Sequence, residues 1–431
     1  MKVYSFPRGG IVYKDPVAPK TDQSVTAFLP GLSVIPLVQH TGAKAFPIVA
    51  VGDVVKEGAL IGRGQGPGSA NIHATVPGRV IKAVSWKMGD EVVDALVIRM
   101  EGAFEKLGKK QEFFSWENNA PFELQRLIAE YGIVEMEGSG RPIAEMLASL
   151  NPTRETSTLV VRCVFDDPWL RADYVLCHER FQAVLDGSII AARAGRINRI
   201  VFAVSQPEEH IGSMFLSQAA RYTIPASLVL VGSQYPQRNR RELEIVLQMY
   251  EKRESVSLGS LLILGPSTLA AIHDAVRLHK PILDRYIAVG GSAVKEPRVL
   301  KVRIGTRIGE IFAECGGFVD KPRHIGIGSP LLGRPVANLD EPVIKSTYGV
   351  FAMQNMQGSS ANGQRCINCG ECRRVCPVGL DPEELYKRSQ LQDNREQTRA
   401  GECHGCGCCE VVCPSQLPLS STIVHFSGKG K

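Results

Sequence analysis

No stretch of about 18 uninterrupted apolar residues occurs in this chain of 431 residues, so no segment of it reads as a membrane-spanning helix. The opening MKVYSFPRGG has a basic residue but no apolar core of signal-peptide length. The net charge of +6 is spread along the chain without a long Lys/Arg block. That gives no case for a nucleic-acid partner and favours an acidic protein surface. Aromatic residues are few, at 6%, beside 44% hydrophobic and 22% charged residues, the balance of a soluble globular protein. No nucleophile–base arrangement stands out, so no bond-breaking chemistry beyond redox is expected. The length exceeds one ordinary core, and roughly two to four domains are expected.

Cysteine is what the chain has in quantity. Twelve cysteines indicate a reducing compartment. Eight of them form two runs: Cys366, Cys369, Cys372 and Cys376 before Pro377, then Cys403, Cys406, Cys409 and Cys413 before Pro414. Each run reads C-x2-C-x2-C-x3-C-P, the spacing that wraps a peptide around a cubane [4Fe–4S] cluster. Three cysteines at every third position supply three thiolates, and in two-cluster ferredoxins the fourth comes from the other run. The expected ligand sets are therefore Cys366, Cys369, Cys372 and Cys413 for one cluster, and Cys376, Cys403, Cys406 and Cys409 for the other. Gly370 and Gly407 allow backbone N–H groups to approach the cluster sulfurs, and each proline ends any local helix. Structural zinc takes C-x2-C pairs far apart in sequence, a poor match to these runs. Cys408 would break the register and reads as a free thiol, and His404 as a solvated loop histidine. Cys163, Cys177 and Cys315 are scattered and read as small buried side chains.

The expected fold class is multidomain α/β. Residues 1–112 read as short strands around Gly and Pro turns, with paired stretches at Ile48–Gly62 and Ile72–Ile81. They resemble the barrel-sandwich hybrid of biotinyl and lipoyl carriers, but the tip Arg63–Ser69 has no lysine, so a docking module is expected instead. Glu105–Asn119 reads as a charge-rich linker that Phe113, Phe114 and Trp116 pin to a neighbour. Residues 118–284 alternate helices with strands at Thr158–Cys163, Ile197–Val204, Ser227–Val231 and Leu261–Leu264, a Rossmann-like, mostly parallel α/β domain. One helix is expected over Asp173–Ala192. Residues 285–345 carry a strand–Gly–helix pattern that suggests a small β-grasp unit. After a polar linker at Asn355–Gly363, residues 355–425 form a two-cluster, ferredoxin-like helical domain. His40 and His73 have no companion at metal-ligand spacing and read as packing residues. The neighbouring Asp166 and Asp167 point apart on a strand and do not read as a catalytic pair.

In their order along the chain these parts resemble the RnfC family, the C component of the Rnf electron-transport complex. Phe6-Pro7-Arg8-Gly9-Gly10-Ile11 is similar to that family's opening F-x-G-G-I, with one extra residue. Ile35-Pro36-Leu37-Val38-Gln39-His40-Thr41-Gly42 resembles its P-L-x-Q-H-x-G segment, and Tyr235-Pro236-Gln237 and Val302-Arg303-Ile304-Gly305-Thr306 also match, the last within that family's SLBB domain, which implies that the β-grasp unit is SLBB-like. The resemblance implies a peripheral protein on the cytoplasmic face of the bacterial inner membrane. Its implied partners are integral membrane and iron–sulfur subunits, within a translocase that couples electron flow between NADH and ferredoxin to ion transport.

The family's middle domain resembles the NADH- and flavin-binding part of respiratory complex I, where a loop of the form G-x-G-G-A-G-F-P-T cradles the FMN phosphate. The equivalent stretch here is Glu135-Met136-Glu137-Gly138-Ser139-Gly140-Arg141-Pro142-Ile143. Gly138 and Gly140 remain, and with Arg141 they are the candidate remnant of the flavin site. Glu135 and Glu137 stand where glycines are expected, and carboxylates there oppose a phosphate. Arg141 offsets part of that repulsion. The family's N-G-A-E-C-E-P is reduced to an acid–Pro pair within Arg162–Pro168. These departures predict that flavin and NADH binding are lost or greatly weakened. Two other functions share the cluster runs: a soluble relative serving cobalamin or proline reductase, and a scaffold whose clusters are structural.

Overall fold

The computed structural model describes residues 2–104, 110–150, 156–354, 365–391 and 397–428. The linker expected at Asn355–Gly363 lies outside the described residues, as do residues 105–109 of the charge-rich segment Glu105–Asn119. The rest of that segment is pinned as expected. Trp116 is 3% exposed, and the Phe114 ring stacks on His279 with centroids 3.8 Å apart.

Two small antiparallel sheets face each other near the N-terminus. One takes Leu32–Pro36, Glu91–Met100, Gly78–Met88 and Val54–Val55, and the other Phe46–Pro47, Leu60–Arg63 and Ile72–His73. Ile35, Ile61, Ile72, Val76, Val80, Leu96 and Ile98 fill the space between them, as alternating aliphatics on one face of each sheet require.

The strands of the α/β domain are near-continuous aliphatic runs because both their faces are covered. Five parallel strands lie in the order Val3–Tyr4, Ala226–Val231, Arg199–Ser205, Ser157–Cys163 and Ser260–Leu264. Leu159, Val161, Phe202 and Val204 pack against the helices Phe181–Ala194 and Pro266–Arg277 on one face. Val160, Val201 and Val229 pack against Leu243, Val246 and Leu247 of Arg240–Glu254 on the other. The single helix expected over Asp173–Ala192 is two, Arg171–Glu179 and Phe181–Ala194. They part at Arg180, whose guanidinium grips Asp274 at 3.0 and 2.6 Å, a distant contact with no local signal.

The first residues do not join the N-terminal sheets. Val3–Tyr4 pairs with Leu230–Val231 at the edge of the α/β sheet, and Ser24–Thr26 pairs with Val299–Lys301. Strands of two or three residues carry no periodicity that could announce such partners. The sheet that receives Ser24–Thr26 also holds Asp284–Gly290, Arg298–Arg303, Gly349–Met353, His324–Ile327 and Arg334–Pro335, with the helix Ile308–Glu314 against it. Lys345, 3% exposed, joins three parts of the fold: its ammonium donates to Asn71 O at 2.8 Å and Gly132 O at 2.7 Å. The C-terminal part is short helices, chiefly Pro382–Gln390 and Leu419–Phe426, around the cysteine runs.

Candidate functional site

Both cysteine runs fold alike. Gly370 and Gly407 adopt φ of 75° and 78°, and each opens a one-turn helix, Glu371–Arg374 and Cys408–Val411. A left-handed residue is needed at that turn, which glycine adopts without strain. Cys366, Cys369 and Cys372 line one recess together with Cys413 of the other run, walled by Tyr386, Leu417 and Leu419. The N–H groups of Asn368 and Leu417 point at Cys366 Sγ and Cys413 Sγ, at 3.4 and 3.5 Å. The remaining four thiols are neighbours deeper in the fold. Burial, followed by the charges of Cys406, Glu410, Cys403 and Cys376, pushes the Cys409 thiol well above its ordinary range. Leu380 N–H donates to Cys376 Sγ at 3.3 Å and Gly405 N–H to Cys403 Sγ at 3.4 Å. Crowded, buried thiols with N–H groups aimed at sulfur suit a centre whose metal displaces their protons.

The two sets differ in exposure. Cys369 is exposed and Cys366 half-buried, whereas Cys376, Cys406 and Cys409 are buried, and Cys406 packs against Tyr235 of the body of the protein. Two of the short sequence motifs make that contact. Gly10 N–H donates to Val375 O at 2.8 Å, and Tyr235 Oη donates to Cys406 O at 2.6 Å. A Cβ on Gly9, at φ 66°, would stand 2.6 Å from the Cys376 carbonyl. Around these bonds Tyr235, Val375, Cys406 and Cys408 form an apolar plug with Ile11, Tyr13 and Leu331. His404 is not the solvated residue its loop suggested. Its ring meets Asn239 Nδ2 at 3.1 Å and Glu242 Oε1 at 3.2 Å. Burial disfavours its charge, but the Glu242 carboxylate outweighs this and raises its pKa.

The acidic loop lies at the carboxyl end of the parallel sheet. Glu135 and Glu137 are both 7% exposed, while Gly138 and Arg141 face solvent. Glu137 Oε1 accepts from Thr268 N–H at 2.9 Å, and Oε2 accepts from the Thr268 hydroxyl at 2.5 Å. The Glu135 carboxylate accepts from Glu137 N–H at 3.2 Å and from Ser139 N–H. The cation beside Glu135 is Arg162, at 3.7 Å, not Arg141. Although burial opposes it, Arg162 and the Ser139 donors hold Glu135 below the usual carboxylate range. Burial, then Asp173 and Glu135, push Glu137 up to about 7. Asp166 accepts from the distant Arg238 N–H at 2.9 Å and Asp167 from Trp169 N–H two residues on, also at 2.9 Å, so each acid is engaged by a backbone donor. His73, as expected, is a packed ring, held neutral by burial and the nearby Lys345 with its pKa lowered to about 3.

Four family models match in order: the RnfC barrel sandwich hybrid domain at 5–103, the Nuo51 FMN-binding domain at 128–264, the SLBB domain at 286–333 and a 4Fe-4S dicluster domain at 359–414. The chain is 34% identical over 381 residues to the C component of the ion-translocating oxidoreductase complex of Rhodobacter capsulatus, covering 86% of this chain and 72% of that protein. It belongs to the RnfC family. The C component of the proton-translocating ferredoxin:NAD(+) oxidoreductase complex of Clostridium ljungdahlii is 29% identical, with 83% of this chain and 78% of that one covered. The Na(+)-translocating counterpart of Acetobacterium woodii is 27% identical, with 86% and 84% covered. An NAD+-reducing [NiFe]-hydrogenase in its H2-reduced state gives a TM-score of 0.47 at 15% identity, over 72% of this chain and 60% of that one.

The dicluster match spans both cysteine runs, and this RnfC protein carries two [4Fe–4S] clusters. The flavin implied by the middle domain meets a different situation. The loop N–H groups of Glu137 and Ser139 and both donors of Thr268 are already bonded to carboxyl oxygens of the chain itself. The residues present do not fit an FMN phosphate. No described helix is long and apolar enough to cross a membrane.

Proposed function

We propose that this chain is a peripheral member of an Rnf-type, ion-translocating membrane complex, and that it serves as a cysteine-held electron relay. The observation that carries the reading is the recess that Cys413 of the second run shares with Cys366, Cys369 and Cys372 of the first. That exchange suits two clusters held side by side by crossed ligands, with Cys376, Cys403, Cys406 and Cys409 forming the second set. When bound, the clusters supply single-electron transfer. Around them Leu417, Leu419 and Tyr386 exclude water, and backbone N–H groups aimed at Cys366, Cys376, Cys403 and Cys413 favour the reduced, more negative state.

In this reading the exposed Cys369 side faces a redox partner and the Cys406 side is fixed to the body. Its partners are the integral membrane and iron–sulfur subunits of the complex, with ferredoxin and NADH at the ends of the route, on the cytoplasmic face of the cell membrane. The division into a barrel-sandwich at 1–112, a Rossmann-like domain at 118–284, a β-grasp unit at 285–345 and a cluster domain at 355–425 belongs to the same proposal. Anaerobic purification with iron and sulfide counting, then EPR on dithionite reduction, tests it. About eight irons and two reducible cubanes are expected; half that iron, or clusters that do not reduce, would overturn it.

A further inference from the structure

We propose that Glu135 and Glu137 are internal occupants of the anion seat of the α/β domain, so that the chain itself fills the place of a phosphate-bearing cofactor. The sheet shows where that seat lies. Chain order runs outward from Ser157–Cys163 through Arg199–Ser205 to Ala226–Val231, then returns to place Ser260–Leu264 on the other side of Ser157–Cys163. In doubly wound sheets a ligand binds outside the carboxyl ends of the strands at such a reversal. Gly265 follows Leu264 there and opens the helix Pro266–Arg277. The free N–H groups of a helix N-terminus attract anions.

Here the attraction is satisfied from within. Glu137 takes both Thr268 donors, and the Thr268 hydroxyl accepts in turn from Met136 N–H at 2.9 Å. A Cβ on Gly265 would come within 2.5 Å of the Glu137 carboxyl carbon, which shows how tightly the group is seated. Across the loop, Glu135 takes the N–H groups of Glu137 and Ser139, donors of the kind that form an anion nest. Arg285, 1% exposed, secures the arrangement by donating to Met136 O at 3.3 Å. The acids therefore do more than repel a phosphate from a distance. They take its hydrogen bonds.

This inference extends the proposed function without depending on it, because iron counting tests the clusters and ligand binding tests the seat. The test is equilibrium dialysis of the cluster-loaded chain against FMN, and separately against inorganic phosphate, for the native protein and for Glu137→Gly. The native chain is expected to retain neither, and Glu137→Gly to bind FMN at least roughly tenfold more tightly, the scale of anion stabilisation at a helix N-terminus. Stoichiometric FMN on the native chain would overturn the proposal, as would a cluster-loaded Glu137→Gly with no gain. Should that variant fail to fold, Glu137→Ala, which also removes the carboxyl group from the Thr268 donors, carries the test, a gain supporting the proposal and no gain overturning it.

Discussion

Cys413 makes the sharpest claim among single residues, because it belongs by sequence to one run and by position to the recess of the other. Cys413→Ser and Cys403→Ser fall in the same run, yet they should deplete different clusters. Each is expected to lower bound iron from about eight atoms toward about four, leaving distinguishable EPR signals. Identical residual spectra would refute the crossed assignment. Glu137 gives a second residue-scale prediction, in pH. Its pKa rises from 4.5 unfolded to about 7 folded, so between those values the folded chain holds a proton the unfolded chain has released. Stability must fall as pH rises through that window. Asp166, raised by burial to about 7, acts in the same direction. Glu137→Gln keeps the shape and removes the titration, so between pH 6 and pH 8 its thermal midpoint should drop less than the native one, by roughly a few degrees.

At the scale of elements, legibility in the sequence followed range. The cysteine runs and the aliphatic strands could be read because their signals are local: fixed spacing in one, continuous burial in the other. What local pattern could not supply was the partner. Thr268 lies 131 residues from Glu137, and without that contact two glutamates in a glycine loop read only as repulsion. The pairing of His404 with Glu242, the break at Arg180 and the destinations of Val3–Tyr4 and Ser24–Thr26 were hidden for the same reason. Lys345 is the element-scale test of such contacts. Lys345→Met strands the carbonyls of Asn71 and Gly132, and unsatisfied buried carbonyls cost on the order of 1–3 kcal/mol each. Burial lowers the Lys345 pKa to about 7, so its native contribution grows as pH rises from about 7 toward 10.5, the reverse of Glu137. A thermal midpoint unchanged by the substitution would refute the joining role.

For the whole molecule, the contacts of Gly10 with Val375 and of Tyr235 with Cys406 tie the cluster domain to the body. Gly9→Ala drives a Cβ against the Cys376 carbonyl, at a backbone angle that alanine adopts only with strain. Faster proteolytic release of the cysteine-rich segment is expected, with iron content retained; an unchanged cleavage rate would show that this contact does not hold the domain. Membrane association should likewise depend on company. Expressed alone, the chain should stay in the supernatant on ultracentrifugation, and it should sediment when the integral membrane partners are co-expressed.

The contact of Gly9 and Gly10 with Val375 and Cys376 also constrains biogenesis. Synthesis makes the first residues of the chain early, and the carbonyls that receive them late. Until then the N-terminal hook waits without its counterpart, and once made, the cysteine loops lie open to the machinery that loads iron until the hook closes on them. Cluster insertion should therefore come before the final latch, and cells that load iron slowly should accumulate a long-lived, unlatched form of the chain.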